Sequence, residues 1–116
     1  MGLSWDEAIA YAQTLPDVVM STSYGQPAVK LATNGRGFLF RGHESDCAFC
    51  IQIDRDTIEI LKETAPETFF QTPHYVGWDA VLVRYDSPDV ERVREMIARA
   101  RDYVSTKKPA KPRKKP

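Results

Sequence analysis

This chain of 116 residues has the size of a single domain, and its 42% hydrophobic and 28% charged residues are typical of a globular protein. Its net charge is zero, but residues 1–106 hold ten Lys and Arg against sixteen Asp and Glu, a net −6, while the last ten residues carry +6. The composition excludes a fibrous or wholly disordered protein, and the acidic body argues against broad electrostatic binding to phosphate.

The sequence also favours a cytoplasmic protein without a membrane partner. No stretch approaches the roughly 20 apolar residues that cross a bilayer, and the N-terminus lacks the basic start and apolar run of a secretory signal. The two cysteines, Cys47 and Cys50, fit a reducing compartment.

The first predicted element is a helix that begins with a capping box. Ser4 and Glu7 stand three residues apart, so each side chain can bond the backbone N–H of the other. Apolar residues follow at helical spacing, and Pro16 removes a donor. These signals predict a helix from Trp5 to about Thr14.

Three strands are predicted next, after a loop that runs through Gly25. The stretches from Pro27 to Thr33 and from Gly37 to Arg41 flank Asn34-Gly35, a pair suited to the positive backbone dihedrals of a two-residue hairpin turn. We expect these stretches to pair antiparallel. A third apolar run, from Cys47 to Ile53, extends them into a three-stranded meander.

The sequence after Ile53 predicts a helix, two strands and a longer helix. Asp54 caps the first of these helices, Phe69 and Phe70 begin a short strand, and Ala80 to Tyr85 form a longer one. Ser87-Pro88-Asp89 indicates the start of the last helix, with Ser87 as its N-cap. The apolar residues of that helix recur every three or four positions and predict a buried stripe. They are Val90, Val93, Ile97, Ala100 and Val104.

The predicted order is α-β-β-β-α-(β)-β-α. This order describes a two-layer α+β domain, with helices packed on one face of a mainly antiparallel sheet, over residues 1–106. Residues 107–116 hold three prolines, six cations and no large apolar residue. They are predicted to be a flexible basic tail, because they cannot bury enough surface to offset their ordering entropy.

Cys47 and Cys50 have the spacing of a redox or metal-binding pair, and His43 and His74 would complete a four-ligand zinc site. However, residues three apart on a strand point to opposite faces, and no helix N-terminus follows to stabilise a thiolate. The favoured interpretation is a pair of ordinary strand cysteines, with no metal and no cofactor.

The segment from Thr72 to Trp78 is the aromatic loop. His74, Tyr75 and Trp78 could stack on a ligand and hydrogen-bond to it, or could equally pack together and close one end of the sheet. Catalysis by His74 would need a partner, and no triad, phosphate-binding loop or paired carboxylate motif is visible. The sequence therefore predicts no enzyme and no catalytic residue.

A small basic surface is expected on the predicted hairpin, from Lys30, Arg36 and Arg41. Such a hairpin could enter a DNA groove as a wing, or its cations could only discourage aggregation at a sheet edge. The tail cations would add weak, sequence-independent and salt-sensitive phosphate contacts, or would only increase solubility. They are Lys107, Lys108, Lys111, Arg113, Lys114 and Lys115.

Several motifs occur together along the chain: Leu15-Pro16, the segment from Ser23 to Lys30 (SYGQPAVK), the apolar strand before Asp54, Thr72-Pro73-His74-Tyr75, Trp78, Ala100 and Tyr103. In this combination they resemble the MmcQ/YjbR-like family of small bacterial proteins, over a match from about Ser4 to Val104. The resemblance implies a fold similar to the frataxin-like and secretion-chaperone-like folds, a monomer, and a DNA-binding role attributed to a double-wing arrangement of strands.

The functional prediction is therefore a non-catalytic DNA-binding protein of the MmcQ/YjbR type. It would bind DNA weakly through the hairpin wings, the aromatic loop and the basic tail. The alternative is a protein-interaction or chaperone-like adaptor domain with no nucleic-acid partner.

Overall fold

A computed structural model describes residues 3–23, 25–41, 47–73 and 75–108, which form three helices on one face of a six-stranded sheet. The predicted α+β class and two-layer arrangement are confirmed. The helices are α1 (Trp5–Ala12), α2 (Arg55–Thr64) and α3 (Val90–Ser105). The strands are β1 (Val18–Ser23), β2 (Gln26–Leu31), β3 (Gly37–Phe40), β4 (Ala48–Gln52), β5 (Phe69–Phe70) and β6 (Ala80–Arg84).

The sheet has the order β1-β2-β3-β4-β6-β5, and every neighbouring pair is antiparallel. The predicted meander is present as β2, β3 and β4. One strand was not predicted: β1 lies in the segment expected to be a loop. It pairs with β2 from Val18 opposite Leu31 to Ser23 opposite Gln26. Its Val and Thr residues are good strand formers, but their low burial leaves little hydrophobic pattern in the sequence.

Two predicted helix caps are present. The Ser4 hydroxyl accepts from the Glu7 N–H at 3.2 Å, and the Glu7 carboxylate accepts from the Ser4 N–H at 3.0 Å, which completes the capping box of α1. The Asp54 carboxylate accepts from the Thr57 N–H at 3.0 Å at the start of α2. Local sequence signals therefore set where these helices begin.

The predicted N-cap of α3 is wrong by two residues. Asp89 is the N-cap, and its carboxylate accepts from the Arg92 N–H at 3.1 Å. Ser87 is instead fully buried before the helix, and its hydroxyl has no hydrogen-bond partner within the described part of the chain. The predicted apolar stripe does line the core.

The predicted two-residue turn at Asn34-Gly35 is also wrong. Five residues separate β2 from β3, and the bond from the Leu31 N–H to the Arg36 carbonyl at 2.8 Å closes a hairpin loop of four of them, 32–35. Gly35 has a φ of +70°. Asn34 is buried, and its side-chain amide donates to the Val104 carbonyl of α3 at 2.9 Å. This long-range bond accounts for the longer loop.

A β-bulge lies between β2 and β3. Val29 is opposite Leu39 and Lys30 is opposite Gly37, so Phe38 is an extra residue on β3. Both Phe38 and Leu39 are fully buried in the core beneath the helices. The bulge allows two consecutive large side chains to point to the same layer.

The buried residues of all three helices belong to one core with the facing side of the sheet. A smaller cluster on the other face consists of Ala48, Cys50 and Leu82, with partly buried neighbours from strands and the aromatic loop. No helix within the described ranges is both long and apolar enough to cross a membrane.

Candidate nucleic-acid interface

The sheet face opposite the helices is called here the helix-free face. Strand registers place on it a row of small and apolar residues flanked by two cations, Lys30 and Arg84. The other members include Val19, Ser21, Gln26, Ala28, Gly37, Phe40, Ala48, Cys50, Gln52, Phe70, Ala80 and Leu82.

The strands contain no acidic residue. Among all residues of the six strands, the only charged ones are Lys30 and Arg84, and both lie on the helix-free face. The acidic residues of the described chain lie in helices, turns and connecting segments. No strand residue therefore contributes a negative charge to this face, which favours a locally positive potential despite the overall balance.

Lys30 lies near the hairpin loop, opposite Val19 on one side and Gly37 on the other. Its side chain is half-buried, and its Cγ lies 3.5 Å from the point where a Cβ on Gly37 would be. The aliphatic stem therefore follows the sheet surface, as long basic side chains often do.

Gly37 makes room for an aromatic ring. A Cβ at this position would lie 2.6 Å from Cζ of Phe40, closer than the two atoms can approach. Phe40 is half-buried and packs on the small cluster of the helix-free face. The absence of a side chain at Gly37 thus permits the position of this ring.

Arg84 is held on the face by Phe70. The guanidinium carbon lies 4.0 Å from the ring centroid, a cation–π contact between β6 and the edge strand β5. Arg84 was not among the predicted site residues. The alternation of β6 could have identified it, because Arg84 shares a face with Leu82, but the sequence does not show that this face lacks helices.

The aromatic loop folds back on the sheet through its own hydrogen bonds. The Tyr75 N–H donates to the Thr72 carbonyl at 2.8 Å, and the Gln71 amide donates to the Tyr75 carbonyl at 3.1 Å and to the Ala80 carbonyl at 2.7 Å. Tyr75 packs against the helix-free cluster. In contrast, Trp78 is 67% exposed. Tyr75 therefore packs on the sheet, as the structural alternative predicted, whereas Trp78 faces solvent; His74 lies outside the described residues.

Lys107, the first predicted tail cation, binds the body of the domain. Its ammonium group lies 2.8 Å from the Asp79 carboxylate, which also accepts from the Tyr103 hydroxyl at 2.9 Å and the Gln52 amide at 3.1 Å. Burial alone would raise the pKa of Asp79, but these bonds, led by that of Lys107, hold it below its ordinary value. The bond to Asp79 raises the pKa of Lys107.

The hairpin loop binds the same C-terminal segment. The Arg36 Nε donates to the Lys108 carbonyl at 2.7 Å, and the Asn34 amide donates to the Lys107 carbonyl at 3.3 Å. The structure therefore uses Arg36 and Lys107 in internal contacts. Lys30, the half-buried Arg41 and the exposed Lys108 make no such side-chain bond to the part of the chain that the structure describes. The candidates Lys111, Arg113, Lys114 and Lys115 lie outside the described residues.

The two cysteines lie in different environments. Cys50 is buried in the small cluster, and burial raises the pKa of its thiol to about 12. Cys47 is exposed just before β4. In the part of the chain that the structure describes, no group of three or more His, Cys, Asp or Glu residues could hold a metal ion. Both histidines of the hypothetical zinc site, His43 and His74, lie outside that part.

A pocket of about 320 Å³ lies beside the hairpin loop and the end of α3. Its polar groups already bond within the protein: Asp17 accepts from the Thr33 N–H, Asn34 donates to α3, and Lys107 donates to Asp79. No ligand is therefore needed to satisfy these groups, and the helix-free face remains the candidate interface. The lining residues are Asp17, Leu31, Thr33, Asn34, Ser105 and Lys107.

Comparison with known proteins adds no relative: no protein-family model, no curated protein and no solved structure matches this chain. The resemblance to the MmcQ/YjbR-like family stays a prediction that rests on the sequence motifs.

Proposed function

We propose that this chain is a non-catalytic DNA-binding domain of the MmcQ/YjbR type that binds weakly through the helix-free face, the aromatic loop and the basic tail. The supporting observation is the charge of the strands. The six strands have no carboxylate, and their two cations, Lys30 and Arg84, both lie on the helix-free face. A polyanion approaching this side meets no strand carboxylate.

The segment that follows α3 contacts the hairpin loop, close to Lys30. Lys108 is held by Arg36, which adjoins Gly37, and Gly37 is opposite Lys30. The described chain therefore ends close to Lys30, and four more cations follow in the sequence. Each phosphate contact releases counterions and contributes about −0.9 to the slope of log K against log salt. Binding through a few such contacts is weak and steeply salt-dependent.

Titration of a labelled DNA duplex, followed by fluorescence anisotropy between roughly 50 and 200 mM salt, tests this proposal. Lys30→Gln and Arg84→Gln should each weaken binding several-fold and reduce the salt slope by about one. Arg99→Gln is the matched control, because it removes the same charge from an exposed position on α3. No binding at the lowest salt, or an equal loss with the control, contradicts the proposal.

A second candidate function is a protein-interaction adaptor, favoured by exposed apolar residues in the aromatic loop. Val76 is 60% and Trp78 67% exposed. The chain has two tryptophans, and Trp5 is buried in the core. A Trp5→Phe variant would therefore leave Trp78 as the only tryptophan, and its fluorescence would report on the aromatic loop. Binding of a permanently unfolded polypeptide should then shift the emission of Trp78. Val76→Ser should weaken this binding, and DNA should not compete with it. An unchanged emission removes this candidate.

A further inference from the structure

The edge strand β1 lacks the features that usually protect a sheet edge. It is six residues long and has no charged residue, no proline and no glycine. Among the strands in the described ranges it pairs with β2 alone. Natural edge strands are commonly blocked by lysine, proline, a bulge or a very short length. The opposite edge, β5, is protected in the last way, because it has two residues.

The hydrogen-bond alternation shows which backbone groups of β1 face outward. The Ala32 N–H donates to the Asp17 carbonyl at 2.8 Å, so the pair Asp17 and Ala32 is a hydrogen-bonded one. In an antiparallel ladder such pairs alternate with non-bonded ones. With the observed register, every second residue from Asp17 bonds to β2. The residues between them direct their N–H and C=O groups away from β2, to the outer edge of the sheet that the described strands form: Val18, Met20 and Thr22.

Two large side chains on this strand are exposed. Val19 is 44% and Met20 43% exposed, and the two residues point to opposite faces of the sheet. A strand added along the edge would therefore cover apolar surface on both faces as well as pair the free backbone groups.

We propose that β1 pairs antiparallel with β1 of a second copy of this chain, with Met20 of one copy opposite Met20 of the other. Outward-facing residues must pair with outward-facing residues, and the register centred on Met20 engages all three of them. Val18 then lies opposite Thr22 of the second copy, and Val19 opposite Ser21. This register places no charged side chain opposite another.

The second copy fits this edge better than an unrelated peptide for a geometric reason. An isologous contact needs a self-complementary strand, and β1 is uncharged and presents equally spaced outward groups on both sides of Met20. The proposal replaces the monomer implied by the family resemblance. It is independent of DNA binding, because edge pairing leaves the helix-free face uncovered.

Site-directed cross-linking tests the register. In a Cys47→Ser background, Met20→Cys would place two thiols in opposite residues whose Cα atoms are about 5.5 Å apart, a distance that a disulfide spans. Thr22→Cys is the matched control on the same edge, since the two positions would be offset by four residues, roughly 13 Å along the strand. Mild oxidation should produce covalent dimer from the first variant and little from the second. Equal cross-linking of both variants, or none, overturns the proposal.

Sedimentation velocity supplies a second measurement. The wild-type chain should form dimer as its concentration rises, and Met20→Lys should shift it to monomer because two like charges would lie directly opposite. Ile60→Lys is the control, since Ile60 is 56% exposed on α2, away from the edge. A wild-type monomer at every concentration overturns the proposal, including the case where only a foreign peptide binds β1.

Discussion

The ammonium group of Lys107 lies 2.8 Å from the carboxylate of Asp79, and both side chains are mostly buried, with 27% and 21% exposed. This pair connects the residues after α3 to the start of β6. Together with the bonds from Asn34 and Arg36, it fixes the chain through Lys108 to the domain. The contacts with the body thus extend past residue 106, the predicted end of the domain.

Replacement of Asp79 by Asn should make stability less dependent on acid pH. The pKa of Asp79 is held below its ordinary value, so its charge stabilises the native state above about pH 4 and this contribution is lost as pH falls through the native pKa. We expect Asp79→Asn to cost about 1–2 kcal/mol at pH 7, the scale of a hydrogen bond to a charged group. The difference from wild type should shrink progressively as pH falls below about 4, measured by urea unfolding.

Asp86→Asn is the control for this experiment, because Asp86 is exposed in the turn after β6. Its unfolding free energy should follow wild type at each pH. A constant gap between Asp79→Asn and wild type from pH 7 to pH 3 would show that charge is not what Asp79 contributes.

Asn34 should matter more than its position in a loop indicates. Asn34→Ala removes the bonds that the side-chain amide donates to the Val104 and Lys107 carbonyls, and the bond that its Oδ1 accepts from the Arg36 N–H at 3.0 Å. The Val104 carbonyl keeps the bond that it accepts from the Lys107 N–H at 3.1 Å, so the cost is that of the lost hydrogen bonds, about 0.5–1.5 kcal/mol for each. Thermal unfolding should show this loss, whereas Thr33→Ala, at the exposed neighbouring position, should change little. Equal effects of the two substitutions would contradict the assignment.

Gly37 and Phe40 should be energetically coupled. Gly37→Ala would place a Cβ 2.6 Å from the Phe40 ring, and displacement of the ring should cost about 1 kcal/mol or more. In a Phe40→Leu background the same change should be neutral or stabilising, because alanine suits a strand better than glycine by roughly 0.5–1 kcal/mol. A double-mutant cycle measures this coupling, and additive effects would rule out the contact.

The two cysteines should differ in reactivity. Cys47 is exposed, whereas Cys50 is buried and its thiol has a pKa of about 12, so little thiolate forms at pH 8. Iodoacetamide should label one thiol quickly in the folded protein and both in denaturant, and mass spectrometry should locate the first label at Cys47. Rapid labelling of Cys50 without denaturant would contradict its burial.

Local signals predicted most of the fold. The capping box of Ser4 and Glu7 and the Asp54 cap act over three residues, so the sequence shows both partners of each bond. The stripe of α3 repeats often enough to identify its buried face. These helices were predicted because their signals, the caps and the apolar periodicity, are contained within the sequence of each helix and its flanks.

Features set by distant contacts were not predicted. The hairpin loop is four residues long and Asn34 bonds to α3, seventy residues away in the sequence. The strand β1 is stabilised by pairing along one edge, and the bulge at Phe38 appears only when β2 and β3 are aligned. No short pattern contains both partners of these interactions.

The candidate site was predicted in part. Lys30 and Trp78 lie on surface that a ligand can reach, whereas Arg36 and Lys107 make internal bonds and Arg84 was missed. Residue type and spacing show where a cation falls along a strand. Residue type and spacing do not show whether a group from another element binds that cation.

The uneven placement of charge along the strands also bears on how the molecule should behave at a charged matrix. The isoelectric point is near 6.7, so the whole chain is nearly neutral at pH 7. Net charge alone therefore predicts no retention on a cation or an anion exchanger. The strands carry no carboxylate and the last ten residues of the sequence carry +6, so the charge is unevenly distributed over the molecule. The protein should therefore bind a sulfonated cation-exchange resin at pH 7 through its positively charged parts, although its net charge is close to zero.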